Sequence, residues 1–102
     1  MQHEEFDYVI VGAGSAGCVL AGRLTEDPNI SVCLLESGGP DKSIFIHAPA
    51  GFVAMVATSY NNWAFDTVPQ KSLNNRLGFQ PRGETLGGSP AINATVYIRG
   101  QA

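Results

Sequence analysis

The stretch "FDYVIVGAGSAGCVLAGRL", residues 6 to 24, constrains the fold of this 102-residue chain more than any other. Phe6 to Val11 is a short run of β-branched and aromatic residues that stops at glycine, the pattern of a strand buried on both faces. From Ser15 to Leu24 the apolar positions Ala16, Val19, Leu20 and Leu24 recur at helical spacing, with Arg23 and Glu26 on the other side. Asp27, Pro28 and Asn29 end that helix and turn the chain. A second apolar run follows from Ser31 to Leu35. Strand, helix and strand within so short a compass predict a right-handed βαβ unit with parallel strands.

The glycines give this unit a chemistry. Gly12, Gly14 and Gly17 have the G-x-G-x-x-G spacing. The first permits the tight turn out of the strand, the second lets a pyrophosphate approach the backbone, and the third lets the helix pack closely on the strand. The helix starting at Ser15 then points unpaired N–H groups and its positive dipole end at the phosphates. Glu36 stands 22 positions after Gly14, at the end of the second strand. A carboxylate there accepts hydrogen bonds from both hydroxyls of an adenosine ribose and repels a 2'-phosphate. Alone, Glu36 would read as a solvated strand-end acid; in this order of strand, glycines, helix, strand and acid it predicts a dinucleotide site. NAD and FAD share the ADP half, so the motif does not choose between them.

Composition closes other routes. A net charge of −3 and the lack of any like-charge run leave no basic face for nucleic acid or an anionic membrane. No stretch reaches the roughly 18 apolar residues of a membrane span, and the acidic Met1 to Glu5 segment is unlike a secretory signal. A cytoplasmic chain is expected, with Cys18 and Cys33 as buried free thiols on a helix and a strand.

Beyond Glu36, "SGGPD" reads as a simple connector, and "IFIHAPAGFVAMVATSY" is apolar without a clean period. "NNWAFDTVPQ" and "LGFQPR" predict two short strands around the polar turn "KSLNNR". Trp63 and Phe65 alternate with Asn62 and Ala64, which puts both aromatics on one strand face, packed into a core or near a substrate site. His47 is expected in a packed or solvated structural role, having no partners for base catalysis; His3 falls in the terminal segment. In "GETLGGSPAINATVYIRG", Ser89 as N-cap and Pro90 at the first helical position predict a short helix from about Pro90. Gly87 and Gly88, just ahead of it, form either a structural turn or a backbone bringing N–H donors to a phosphate or an electron-rich ring. Asn93 is placed to bond cofactor or loop, Arg82 to meet pyrophosphate or an acid, and Arg99 to form an ion pair.

The string "PRGETLGGSPAINATVYIRG", read with the opening motif, resembles the glucose-methanol-choline (GMC) family of FAD-dependent oxidoreductases, particularly its alcohol and choline dehydrogenase branch. The usual string there is close to R-G-K-x-L-G-G-S-S-x-I-N-x-M-V-Y-I-R-G. The order of "NNWAFDTVPQ", "LNNR" and this string also matches. The resemblance implies an α/β fold, the N-terminal part of a Rossmann-like FAD-binding domain: the parallel βαβ unit, an irregular segment, a β-hairpin and a short helix. It implies FAD bound through Gly12, Gly14, Ser15 and Gly17 at the pyrophosphate and Glu36 at the ribose. The segment from Arg82 to Val96, with Gly87, Gly88 and Asn93, would lie near the flavin end.

Family chemistry would take a proton from an alcohol hydroxyl with a histidine base and pass hydride to flavin, giving an aldehyde or ketone. That histidine lies in the C-terminal part of family members, so no catalytic residue is named in residues 1–102. Two parallel strands do not make a stable sheet alone. The expected partner is therefore the remainder of the same flavoprotein, with its substrate domain, as a missing segment or a companion chain; the other is a small alcohol substrate. The rivals are a non-catalytic nucleotide-binding fragment and an NAD-binding Rossmann module. Two positions depart from the family string: Glu84 where lysine or arginine is usual, and Pro90 where serine or threonine is usual. Ile92 aligns with the histidine that carries covalent flavin in some members, so FAD is expected to be non-covalent.

Overall fold

A computed structural model of the chain describes residues 3–101. The fold is α/β. Strand β1 (Tyr8–Val11) leads through the glycine loop into helix α1 (Ser15–Leu24), which returns to strand β2 (Val32–Leu35). The strands are parallel, pairing Tyr8 with Val32 through Val11 with Leu35. Each begins one or two residues later than the apolar runs suggest. The Asp7 carboxylate accepts bonds from the Ser31 N–H at 2.8 Å and hydroxyl at 2.7 Å, so side-chain bonds tie the strand entries together. At the far end the Gly12 N–H donates to the Leu35 carbonyl at 2.8 Å, carrying the pairing into the loop. Helix α1 ends where Thr25 bonds back to the Ala21 carbonyl through both N–H and hydroxyl, and Asp27 then organises the turn by accepting from Asn29.

The aperiodic middle segment resolves into short pieces: α2 (Ile44–His47), a 3-10 turn at Pro49–Gly51, and α3 (Phe52–Val56). Ser43 caps α2 by accepting the Phe45 N–H. Gly51 is buried, and a Cβ there would run into the backbone of Phe45, so the two short helices turn on each other too tightly for a continuous period. His47 Nε2 donates to the Asp41 carbonyl, 2.6 Å away, which is a structural role. The predicted hairpin is present as β3 (Phe65–Asp66) and β4 (Phe79–Gln80), antiparallel and two residues each. Trp63 and Phe65 stack with ring centroids 5.7 Å apart, but Ala64 between them has φ 49° and both rings are half-exposed, so they do not fill a core.

Three further expectations are corrected. The helix from Pro90 is a single 3-10 turn, Ser89–Ala91, with Gly88 in the cap position. Ser89 does not cap it, because its hydroxyl accepts the Gly83 N–H at 3.1 Å instead. The following Thr95, Val96 and Ile98 are β-branched and favour extended backbone; residues 92–101 have no regular structure. The strands are not buried on both faces: Val9 is 59% and Val11 83% exposed. Nor is Cys18 buried; it is exposed and Cys33 half-buried, both as free thiols.

"SGGPD" is more than a connector. The Gly39 carbonyl accepts both the Leu86 N–H and the hydroxyl of the fully buried Thr85, each at 3.0 Å, and Gly39 bridges Thr85 in parallel register. A Cβ on Gly38 would run into the backbone of Glu84 and Thr85. The segment before the second glycine pair thus lies along the end of β2. Among the described residues the buried apolar set is Ala13, Met55 and Ile92. The radius of gyration is 17.2 Å, against about 13 Å for a compact chain of this length. Much apolar surface, including most of β1, Leu35 at the end of β2 and Val96 to Ile98, is uncovered.

Two substitutions separate the contributions at this junction. Thr85→Val removes one donor while Gly39 keeps the Leu86 N–H, and is expected to cost about 1 kcal/mol. Gly38→Ala forces two backbones apart and should cost more, roughly 2–3 kcal/mol or greater. Urea unfolding of the two variants beside the parent measures both.

Candidate functional site

The site is built around the turn Gly12–Ala13–Gly14. Gly12 has φ 94°, a conformation that favours glycine, and it carries the chain sharply from β1 toward α1. Gly17 is buried; a Cβ there would collide with the Gly12 carbonyl, so the close helix-to-strand packing expected of the third glycine is present. Gly14 is the N-cap of α1, and neither a side-chain cap nor a first-turn acid occupies that end. The helix therefore presents its first N–H groups, starting at exposed Ser15, together with its dipole. Space in front of Gly12 and Gly14 is open, since a Cβ on either would meet nothing within 4 Å.

Glu36 leaves the end of β2 and reaches back to this turn. One carboxylate oxygen accepts the Ala13 N–H at 2.7 Å; the other accepts the Gly38 N–H at 3.0 Å and lies 3.5 Å from the Ser37 hydroxyl. These bonds, the one from Gly38 foremost, hold its pKa below the usual glutamate value against a smaller opposing effect of burial. The side chain is thus an oriented anion. A carboxylate has about four acceptor positions, so capacity remains for hydroxyl donors.

The second glycine cluster packs directly on the first. The Gly87 N–H donates to the Ala13 carbonyl at 2.8 Å, and Gly88, buried with φ 62°, lies so close that a Cβ on it would stand 2.8 Å from Gly14 Cα. Cys18 also points its thiol at the Ala13 carbonyl, 3.2 Å away. The Gly88 N–H goes to the Thr85 carbonyl at 2.9 Å. The N–H groups of Gly87 and Gly88 are therefore spent inside the protein, so the pair serves as a close-packing device and not as a set of outward donors.

Of the residues singled out in the sequence, Gly12, Gly14, Ser15, Gly17, Glu36, Gly87 and Gly88 come together here. Arg82 does not join them: its guanidinium bonds the Pro81 carbonyl at 2.7 Å. Asn93 is exposed, accepts the Thr95 N–H at 2.8 Å, and borders a cavity of about 30 Å³ between α2, α3 and Pro90. Val96 is exposed in the irregular segment, as is Arg99, which makes no ion pair among the described residues. Sequence reasoning missed Ala13, Gly38, Thr85 and Asn62. Only the double glycine of "SGGPD" signalled any of them.

Comparison with known proteins decides the family. The family described as GMC oxidoreductase matches residues 6–102. The chain belongs to the GMC oxidoreductase family. It is 59% identical over 95 residues to an alcohol dehydrogenase [acceptor] of Pseudomonas putida, covering 93% of this chain and 17% of that protein. It is 50% identical over 106 residues to the mitochondrial choline dehydrogenase of Homo sapiens, covering 97% and 18%. Among solved structures, pyridoxine 4-oxidase from Mesorbium loti superposes with a TM-score of 0.84 at 38% identity, over 94% of this chain and 19% of that one. A formate oxidase of Aspergillus oryzae, studied for modification of its FAD, superposes at 0.80 and 35% identity, over 91% and 17%. The chain thus spans less than a fifth of the length of these family members. No helix among the described residues is long and apolar enough to cross a membrane.

Two tests follow from the geometry. Gly88→Ala, which demands a strained φ and pushes a methyl against Gly14, is expected to destabilise by about 1–3 kcal/mol in thermal or urea unfolding. Because the folded pKa of Glu36 is lowered, its contribution to stability is complete above the unfolded glutamate pKa of about 4.3 and is lost as pH falls through the folded value. The parent should therefore exceed Glu36→Gln in stability at neutral pH, and the gap should close in acid unfolding.

Proposed function

We propose that residues 1–102 form the N-terminal FAD-binding portion of a GMC-type flavoprotein that oxidises an alcohol to an aldehyde or ketone. The observation that carries this reading is the docking of the second glycine cluster on the first, with Glu36 anchored on the same turn. The fit to an ADP group is good. The uncapped start of α1 supplies N–H donors and a positive dipole end for the pyrophosphate, over glycines that leave open space. Glu36, ionised and pre-oriented, would accept from the ribose hydroxyls and repel a 2'-phosphate. No basic side chain is required.

When bound, the flavin supplies the acceptor for hydride from the alcohol carbon. The part of this chain is to bind and orient. The turn at Gly12 to Gly17 holds the pyrophosphate, Glu36 sets the adenosine end, and the segment from Arg82 to Val96 lies toward the flavin end. Within that segment Asn93 is an exposed polar side chain, as are Arg82 and Thr95, and Ile92 is buried and carries no nucleophile, which supports flavin held without a covalent bond. The catalytic base and substrate domain belong to the rest of the protein, which would also cover the exposed apolar strands. The free thiols of Cys18 and Cys33 suit a reducing, cytoplasmic setting.

Purified full-length protein is expected to be yellow, to release free FAD on acid or heat treatment, and to bleach with a suitable alcohol. NAD bound in place of flavin would overturn the assignment; flavin without bleaching by any alcohol would leave a binding module only. Glu36→Ala should weaken FAD roughly ten- to a hundredfold, the worth of hydrogen bonds to a charged acceptor, as read by titration of the apoprotein.

A further inference from the structure

We infer that Asn62 is a positioning residue for the flavin end of the dinucleotide, acting through the Arg82–Gly88 segment without touching the cofactor. The inference rests on the FAD reading above. Asn62 is 1% exposed and has every hydrogen-bonding position filled. Its amide nitrogen donates to the carbonyls of Met55 at 3.1 Å and Thr58 at 2.8 Å, holding the end of α3. Its amide oxygen accepts the N–H groups of Ala64 at 3.0 Å and Arg82 at 2.8 Å.

The grip on Arg82 is extended by the backbone on both sides. The Trp63 N–H donates to the Arg82 carbonyl, the Glu84 N–H donates to the Asn61 carbonyl, and Asn62 bridges Gly83. Gly83 passes the constraint on: its N–H bonds the Ser89 hydroxyl, and a Cβ on it would collide with the Gly88 carbonyl. Gly87 and Gly88 end the path on Ala13 and Gly14. The ADP-binding elements, by contrast, are held directly by the β1–β2 pairing and by Glu36, and Asn62 reaches them only through the far end of this path, at Ala13 and Gly14. One buried amide thus sets the place of the second cluster directly, while the adenosine end is held chiefly by Glu36 and the strand pairing.

The two halves of the amide allow a test in which stability and function rank oppositely. Asn62→Asp keeps the acceptor oxygen for Arg82 but turns a carboxylate oxygen on two carbonyls, so it should be the less stable variant. Asn62→Ala loses the Arg82 partner and should be the more damaging to flavin. In the full-length apoprotein, Asn62→Ala is expected to bind ADP within about twofold of the parent and FAD about tenfold more weakly. The visible circular dichroism of the bound flavin should also change. Asn62→Asp should keep FAD affinity and spectrum nearer the parent despite a lower unfolding temperature. The inference is overturned if FAD and ADP affinities fall together, if FAD loss follows stability across the two variants, or if neither variant alters FAD binding. Should the aspartate variant not fold, the ADP and FAD titrations of Asn62→Ala decide alone. A parent that binds ADP and FAD equally well would instead count against the flavin-end placement of the second cluster.

Discussion

Backbone contact between Gly88 and Gly14 is the constraint on which the candidate site depends. No side chain fits between the two turns, and the Gly87 N–H bonds the Ala13 carbonyl across the same junction. Ala13 is consequently held on both polar groups: its N–H by Glu36, its carbonyl by Gly87 and the Cys18 thiol. A turn fixed this way from behind can keep the helix start in front of it free for a ligand. Preorganised N–H donors bind an anion without the cost of ordering them at the moment of binding.

Around that junction the chain is held together by hydrogen bonds more than by apolar burial. Asn62 and Thr85 are buried polar residues at the two crossings where separate segments meet, and no buried side-chain polar atom among the described residues lacks a partner. Polar crossings specify register, because an amide misplaced by one residue leaves its donors and acceptors unpaired. Apolar packing alone would tolerate sliding. Register is the property such crossings secure, and the exposed β1 and the end of β2 show how little of the usual apolar core this region holds by itself.

The βαβ unit was legible because its determinants are local. The apolar runs, the spacing of Gly12, Gly14 and Gly17, and Glu36 each act within about thirty residues of one another, and helix α1 has the bounds its periodicity predicts. The hairpin was legible from its polar turn. The helix expected at Pro90 was not realised, since the Ser89 hydroxyl is drawn to Gly83, a partner the local sequence does not reveal. Likewise, the donors assigned to Gly87 and Gly88 are taken up by Ala13 and Thr85, seventy-four and three residues away.

By itself, then, the sequence determined the parallel unit, the glycine turn between its first strand and helix and the acid that ends the second strand, and its second glycine string carried the family resemblance. Only the tertiary structure decided that the two glycine clusters pack on each other, that "SGGPD" receives Thr85, and that Asn62 accepts the Arg82 N–H across the hairpin. The physical reason is that these are contacts onto backbone from segments far apart in the chain. A glycine shows that something approaches closely, and only the fold shows what.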